Sequence, residues 1–214
     1  MTSLLGSLLI LSALTATGFS ITCYNCLNLT GTACNQPTAT CAIGEVCVAA
    51  YSVVTGSSPS NQYSLSCGST TKCNLTGTWT FTGGTVKTAT TCCNNDSCTP
   101  TLPTLPTQST QTNNVTCRTC ASNTAYCYTG DTLACTGSET MCGILSTVLT
   151  GTTTQSTAIR GCTTPSFCDT LGTGVSSFSG LNVVLTTYCS SGAVGIYAGF
   201  FSSALTLLLT KFLI

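Results

Sequence analysis

Cysteine is the residue here with the most chemistry to offer. The chain has 18 of them in 214 residues, and the short stretch CCNNDSC at 92–98 holds three. Thiols can attack as nucleophiles, bind metal, exchange electrons or close disulfides. CYNC at 23–26 and CRTC at 117–120 have the spacing of redox dithiols, but that role needs a low-pKa thiol on a βαβ frame. The chain has no His, so it has no imidazole base, no Ser–His or Cys–His pair and no His ligand for a metal. Its five carboxylates, Glu45, Asp96, Asp131, Glu139 and Asp169, are scattered along the sequence, with no pairing that suits acid–base catalysis. The expectation is a non-enzymatic protein without cofactor or metal, whose cysteines are disulfides.

The elements that must hold these cysteines begin with the compartment. Residues 1–20, MTSLLGSLLILSALTATGFS, carry an apolar stretch and then place Gly18 and Ser20 at −3 and −1 of a cleavage after Ser20. This reads as a secretory signal peptide, although no Lys or Arg precedes the apolar stretch. At the other end Ser190, Ser191 and Gly192 precede a tail that runs apolar to Ile214. Three small residues before a removable apolar end are the pattern for glycosylphosphatidylinositol (GPI) attachment, at Ser190, or at Ser191 or Gly192. A spanning helix over 193–210 is the rival reading. Its cytoplasmic flank would hold one basic residue, Lys211, which is a weak stop-transfer signal. Both ends place residues 21–189 outside the cell, where thiols oxidise. Sequons at Asn28, Asn74, Asn95 and Asn114 agree with a glycoprotein. Five basic and five acidic residues cancel, which leaves no electrostatic footprint for nucleic acid or an acidic membrane.

The cysteines repeat. Cys23, Cys26, Cys34, Cys41, Cys47, Cys67, Cys73 and Cys92 are separated by 2, 7, 6, 5, 19, 5 and 18 residues. Cys117, Cys120, Cys127, Cys135, Cys142, Cys162, Cys168 and Cys189 are separated by 2, 6, 7, 6, 19, 5 and 20. The first half then adds Cys93 and Cys98. This predicts two domains, 21–98 and 115–189, joined by a Pro/Thr-rich linker at 99–114 that reads as extended and hydrated. Domains of about 75 residues bury little core, so cystines must supply much of their stability. Between the cysteines, VCVAAYSVV and QYSLSC flank a Gly/Ser/Pro turn, and GTWTFTGGTVKTATTC alternates around Gly83–Gly84; both read as hairpins. No segment shows a 3.6-residue apolar period, so no helix is expected.

The order C-x2-C, three further Cys, a long hairpin, Cys-x5-Cys, a second hairpin and CCNNDSC resembles the lymphocyte-antigen-6/urokinase-receptor (LU) family. Tyr24 within CYNC, the closing CC-x4-C and Arg160-Gly161-Cys162, which is similar to multi-domain members, add to the likeness. An Asn commonly follows the last Cys of that motif; here it is Thr99. The resemblance implies an all-β, disulfide-rich fold of two tandem three-finger, snake-toxin-like domains. It also implies the pairs Cys23–Cys47, Cys26–Cys34, Cys41–Cys67, Cys73–Cys92 and Cys93–Cys98. In the second half it implies Cys117–Cys142, Cys120–Cys127, Cys135–Cys162 and Cys168–Cys189. The second domain would keep the closure of its third finger and lack the small loop, with the lipid attached directly after the last cystine.

The function expected is extracellular protein–protein recognition by a GPI-anchored glycoprotein on the outer leaflet of the plasma membrane. Two alternatives stand beside it. One is a soluble inhibitor of secreted enzymes such as phospholipases; the other is a surface-coat glycoprotein without a specific ligand. The partner is an unknown extracellular protein. Apolar and aromatic residues carry most interface energy, so the binding candidates are Tyr51, Tyr63, Trp79, Ile144 and Ile159, on finger faces and in the groove between domains; for Trp79 the favoured reading is a ring packed on the small sheet or under a glycan.

Overall fold

The computed structural model describes residues 20–34, 37–56, 59–171, 174–178 and 181–191. The expected leader, apart from Ser20, lies outside the described residues, and so do Gly192 and the apolar tail.

Thr, Val and Tyr dominate the strands because β-branched and aromatic side chains suit a pleated, half-buried surface. The first half folds as β1 (Thr22–Tyr24), β2 (Cys26–Asn28), β3 (Thr38–Thr40), β4 (Glu45–Gly56), β5 (Ser60–Ser69), β6 (Thr76–Phe81) and β7 (Gly84–Cys93). The second folds as β8 (Thr112–Arg118), β9 (Cys120–Ser122), β10 (Thr132–Thr136), β11 (Met141–Thr150), β12 (Thr154–Thr163), a helix α1 (Pro165–Leu171), β13 (Gly174–Phe178) and β14 (Leu181–Ser191). Each half keeps a small antiparallel ribbon apart, β1 with β3 and β8 with β10. The remaining strands form the fingers. The architecture is all-β and disulfide-rich, as expected.

Nine disulfides link the same pairs that the LU resemblance implies, and no cysteine is free. Adjacent Cys92 and Cys93 project to opposite faces of β7, as period 2 requires; one closes the third finger and the other a small loop to Cys98. Cys23, Cys41 and Cys47 form one buried cluster, and Cys117, Cys135 and Cys162 its counterpart. The sulfurs of Cys23, Cys41 and Cys67, and those of Cys117, Cys135 and Cys162, are close enough together to hold an ion, but cystine sulfur is not the thiolate that ligates metal.

Four features depart from the sequence reading. A helix, α1, stands where none was expected. It is only 7 residues long, too short to display a period, and it starts on a proline, whose fixed φ suits the first helical position. The third-finger turn of the first half is Thr82–Gly83, because Phe81 and Gly84 already pair. Strand β8 begins at Thr112, inside the expected linker. The linker is not a free hydrated tether either: Pro100 and Pro103 are buried, and Gln108 Nε2 donates to Thr80 Oγ1 at 2.8 Å.

The two halves share one ten-stranded sheet, ordered β13-β14-β11-β12-β6-β7-β4-β5-β2 with β9 also paired to β12. The junction is β12 against β6, with Gly161, Cys162 and Thr163 opposite Phe81, Thr80 and Trp79. The sheet curls until its two ends approach, where Asn25 Nδ2 lies 3.5 Å from the carbonyl of Ser177 on β13.

Candidate functional site

Threonines build the seam between the domains. Thr164 N donates to Thr78 O at 3.0 Å, and Thr163 Oγ1 to the same carbonyl at 3.1 Å. Thr82 N donates to Thr119 Oγ1 at 2.7 Å. A hydroxyl satisfies buried backbone groups without bringing a charge that would have to be desolvated. Trp79 sits in this seam with none of its surface exposed. Phe167 of α1 meets its ring edge-on, centroids 5.3 Å apart at 69°, a geometry that suits the ring quadrupole. Trp79 was a binding candidate. Its ring is instead the packing centre of the domain junction and faces no outside partner.

Glu139 is the second unusual group of the seam. It is 1% exposed, and Thr80 Oγ1 donates to its Oε1 at 2.7 Å. Gln108 holds the same Thr80 hydroxyl, so domain 1, linker and domain 2 meet in one network. Asn113 Nδ2 donates to the Glu139 backbone carbonyl at 3.0 Å. Glu139 Oε2 has no partner of normal hydrogen-bond geometry. Burial pushes this carboxyl above the usual carboxylate range, and hydrogen bonds led by Thr80 pull it down less; no cation acts on it. A carboxyl whose pKa is raised on folding stabilises the fold while protonated, and that contribution is lost as pH rises through the folded-state pKa. Glu139→Gln keeps an oxygen for Thr80 and removes the charge. We expect it to exceed the wild type at pH 7 by about 1 kcal/mol in urea denaturation and to lose that advantage at pH 4. An equal effect at both pH values would show that ionisation of Glu139 is not what strains the seam.

Because side chains alternate along a strand, the curled sheet has an inner and an outer face. The inner face lines a cleft of about 600 Å³. Val54 and Val86 come from domain 1, and Leu145, Leu149, Ile159, Val183 and Leu185 from domain 2. Phe81, Val86, Ile159 and Leu185 pack on the buried Trp79–Leu145–Phe167 cluster, so the cleft floor belongs to both domains. Ile159, a binding candidate, is part of this wall.

Tyr51, Tyr63 and Ile144 lie on the outer face, and the structure treats them differently. Tyr63 is 3% exposed, beneath the first finger with Cys26, Ala49 and Leu65. Its ring is core, which corrects the expectation that it contacts a partner, and burial pushes its hydroxyl pKa up. Tyr51 is half-buried against the same cluster. Ile144 is half-buried opposite Tyr188.

The sequence reading missed the more accessible aromatic residues. Tyr126 and Tyr128 are each 85% exposed and Tyr188 67%. Tyr188 pairs with Ile144 across β14 and β11. Ser146, two residues along the same face, donates from Oγ to the Ala125 carbonyl at 3.0 Å, which holds the Tyr126 loop on that side. Two tyrosines flanking Cys127 in AYCYTG are visible in the sequence, but spacing alone does not tell an exposed Tyr from a buried one.

The remaining site residues are placed as follows. Asn74, Asn95 and Asn114 are exposed. Asn28 is half-buried, with Nδ2 donating to the Ala33 carbonyl at 2.9 Å. Ser190 is half-buried opposite Cys142, while Ser191 is exposed at the last paired position of β14. Among the described residues no helix is long and apolar enough to cross a membrane. Glu45 accepts from Ala42 N and Asp96 from Thr22 N; both carboxylates are engaged with backbone.

Comparison with known proteins adds three findings. The model of the u-PAR/Ly-6 domain matches residues 20–101 and, again, 113–194. The crystal structure of mouse TEX101 is similar at 19% identity and a TM-score of 0.34, covering 79% of this chain and 99% of that one. No curated protein sequence matches.

Proposed function

The chain belongs to the u-PAR/Ly-6 domain family, and from that premise we propose that it is a GPI-anchored, glycosylated cell-surface protein that recognises an extracellular protein and performs no catalysis. Domains of this family are typically extracellular or cell-surface modules that bind protein partners, and are generally non-enzymatic. The observation that carries the reading is the exposed tyrosine face of domain 2. Tyr188 lies exposed beside half-buried Ile144, and Tyr126 and Tyr128 are exposed on the loop that Ser146 of the same face holds through the Ala125 carbonyl. Tyrosine gives large contact area at little entropic cost, and such residues anchor interfaces. The lipid attaches directly after the last cystine, at Ser190, or at Ser191 or Gly192; Ser191 is exposed. Anchoring there would set domain 2 directly on the membrane.

One experiment addresses both parts. Cells displaying the full-length protein are treated with phosphatidylinositol-specific phospholipase C, and the released protein is titrated onto cells that lack it. Release is expected, followed by saturable binding. Tyr126→Ser with Tyr128→Ser should weaken that binding by about tenfold or more without changing disulfide content. Retention under conditions that release a GPI-anchored control favours the spanning helix at 193–210. Binding that does not saturate favours the surface coat, and unchanged binding by the double variant excludes the tyrosine face.

A further inference from the structure

We propose that the interdomain cleft is a binding site for an uncharged, single-chain lipid such as a monoacylglycerol. Its walls are Val54 and Phe81 from domain 1 and Leu145, Ile159, Val183 and Leu185 from domain 2. A volume of about 600 Å³ lies within the range of small-molecule sites, which are concave, mostly apolar and carry few polar groups. The enclosure favours a small ligand over a protein loop. The sheet curls until Asn25 meets Ser177 at its far end, and Phe167 with Trp79 closes the floor. A sheet curled almost to closure can hold one small ligand, as closed barrels do.

Charge decides the ligand class. Among the described residues, none that lines the cleft has an ionisable side chain. A carboxylate or phosphate entering it would lose its water and find no cation, which is costly; an acyl chain with a neutral head group suffers no such loss. Polar groups do occur in the lining. Gln62 and Asn123 line the cleft and are solvent-exposed, and Ser52, which lines it too, shares a 2.8 Å hydrogen bond with Thr88. These amides and hydroxyls suit the hydroxyls of a glycerol head group, while the chain lies along Leu145, Ile159 and Leu185. The site draws residues from both domains, and Tyr126, Tyr128 and Tyr188 are not among its lining.

The test uses the full-length protein on intact cells and a photoreactive, alkyne-tagged monoacylglycerol, with the equivalent free fatty acid as the charged arm. The neutral probe should label the protein on peptides covering 141–160 or 181–189, and excess 1-oleoylglycerol should compete. Thr147→Trp, which fills the cleft from a half-buried position, should lower labelling about tenfold at equal surface level. Tyr126→Ser with Tyr128→Ser should leave it unchanged. If Thr147→Trp does not reach the surface, competition and the fatty-acid arm on the wild type still decide. Labelling outside the cleft, labelling that 1-oleoylglycerol does not compete, or equal labelling by the fatty acid overturns the proposal. So does a cleft variant that loses cell binding while no lipid labels the wild type, since the cleft then belongs to a protein partner. Loss of the tyrosine-face binding with lipid labelling intact would sink only the recognition surface.

Discussion

Trp79→Ala should cost about 3–5 kcal/mol, the range for truncating a fully buried large aromatic. Its neighbours fix why. Phe167 rests edge-on against the ring, Leu145 completes the cluster, and on β11, one strand beyond β12, a Cβ at Gly143 would lie 2.5 Å from the ring atom Cη2. These neighbours come from domain 2, whereas the indole comes from domain 1. Removing it therefore empties the junction rather than one core, and both domains should lose stability together. Trp79 is also the only tryptophan of the chain, so its fluorescence reports on the junction. In the wild type, fluorescence and far-UV circular dichroism should show coincident denaturation midpoints. The variant is to be followed by circular dichroism alone. A loss below about 1 kcal/mol would place the junction's stability elsewhere.

The second large effect is expected at Gly161. It pairs with Phe81 across the one strand contact between domains among the described residues, and a Cβ there would sit 2.0 Å from the Thr80 carbonyl oxygen. That oxygen is backbone and cannot swing aside. Gly161→Val must push β12 away from β6, at a cost of about 2–4 kcal/mol for overpacking and lost ladder bonds. The disulfides on either side remain, so each domain should still fold. The expected signature is a split denaturation profile and a Trp79 emission shifted to the red before the strands melt. Gly130→Ala is the matched control, because nothing lies within 4 Å of its added Cβ. A single, unshifted transition in Gly161→Val would mean that the domains do not depend on this strand pair.

Glycine at 161 also shows how far spacing can be read. Arg160-Gly161-Cys162 was notable in the sequence only because it is similar to multi-domain relatives. The physical reason is the Thr80 backbone on the other half of the chain, which no local pattern contains. Trp79 posed the same problem. Alternation in GTWTF placed it on one face of a strand, and the choice between an exposed anchor and a packed ring depended on what covers that face.

The cysteine spacing alone determined that the chain holds two tandem copies of one domain, and the alternation between the cysteines pointed to hairpins. A disulfide framework leaves such a record because its cysteines must recur at loop lengths set by the fingers. The sequence also determined which residues alternate, and hence that Leu145, Thr147 and Leu149 share a face. Only the tertiary structure decided which face that is. It joined β12 to β6, curled ten strands around a cleft without ionisable groups, buried Tyr63 and Trp79, and left Tyr126, Tyr128 and Tyr188 open. The repeat could not encode these choices, because both copies carry nearly the same spacing. What distinguishes them is the packing of one against the other, a long-range arrangement of side chains such as Thr78, Glu139 and Phe167 whose partners lie in the other half of the chain.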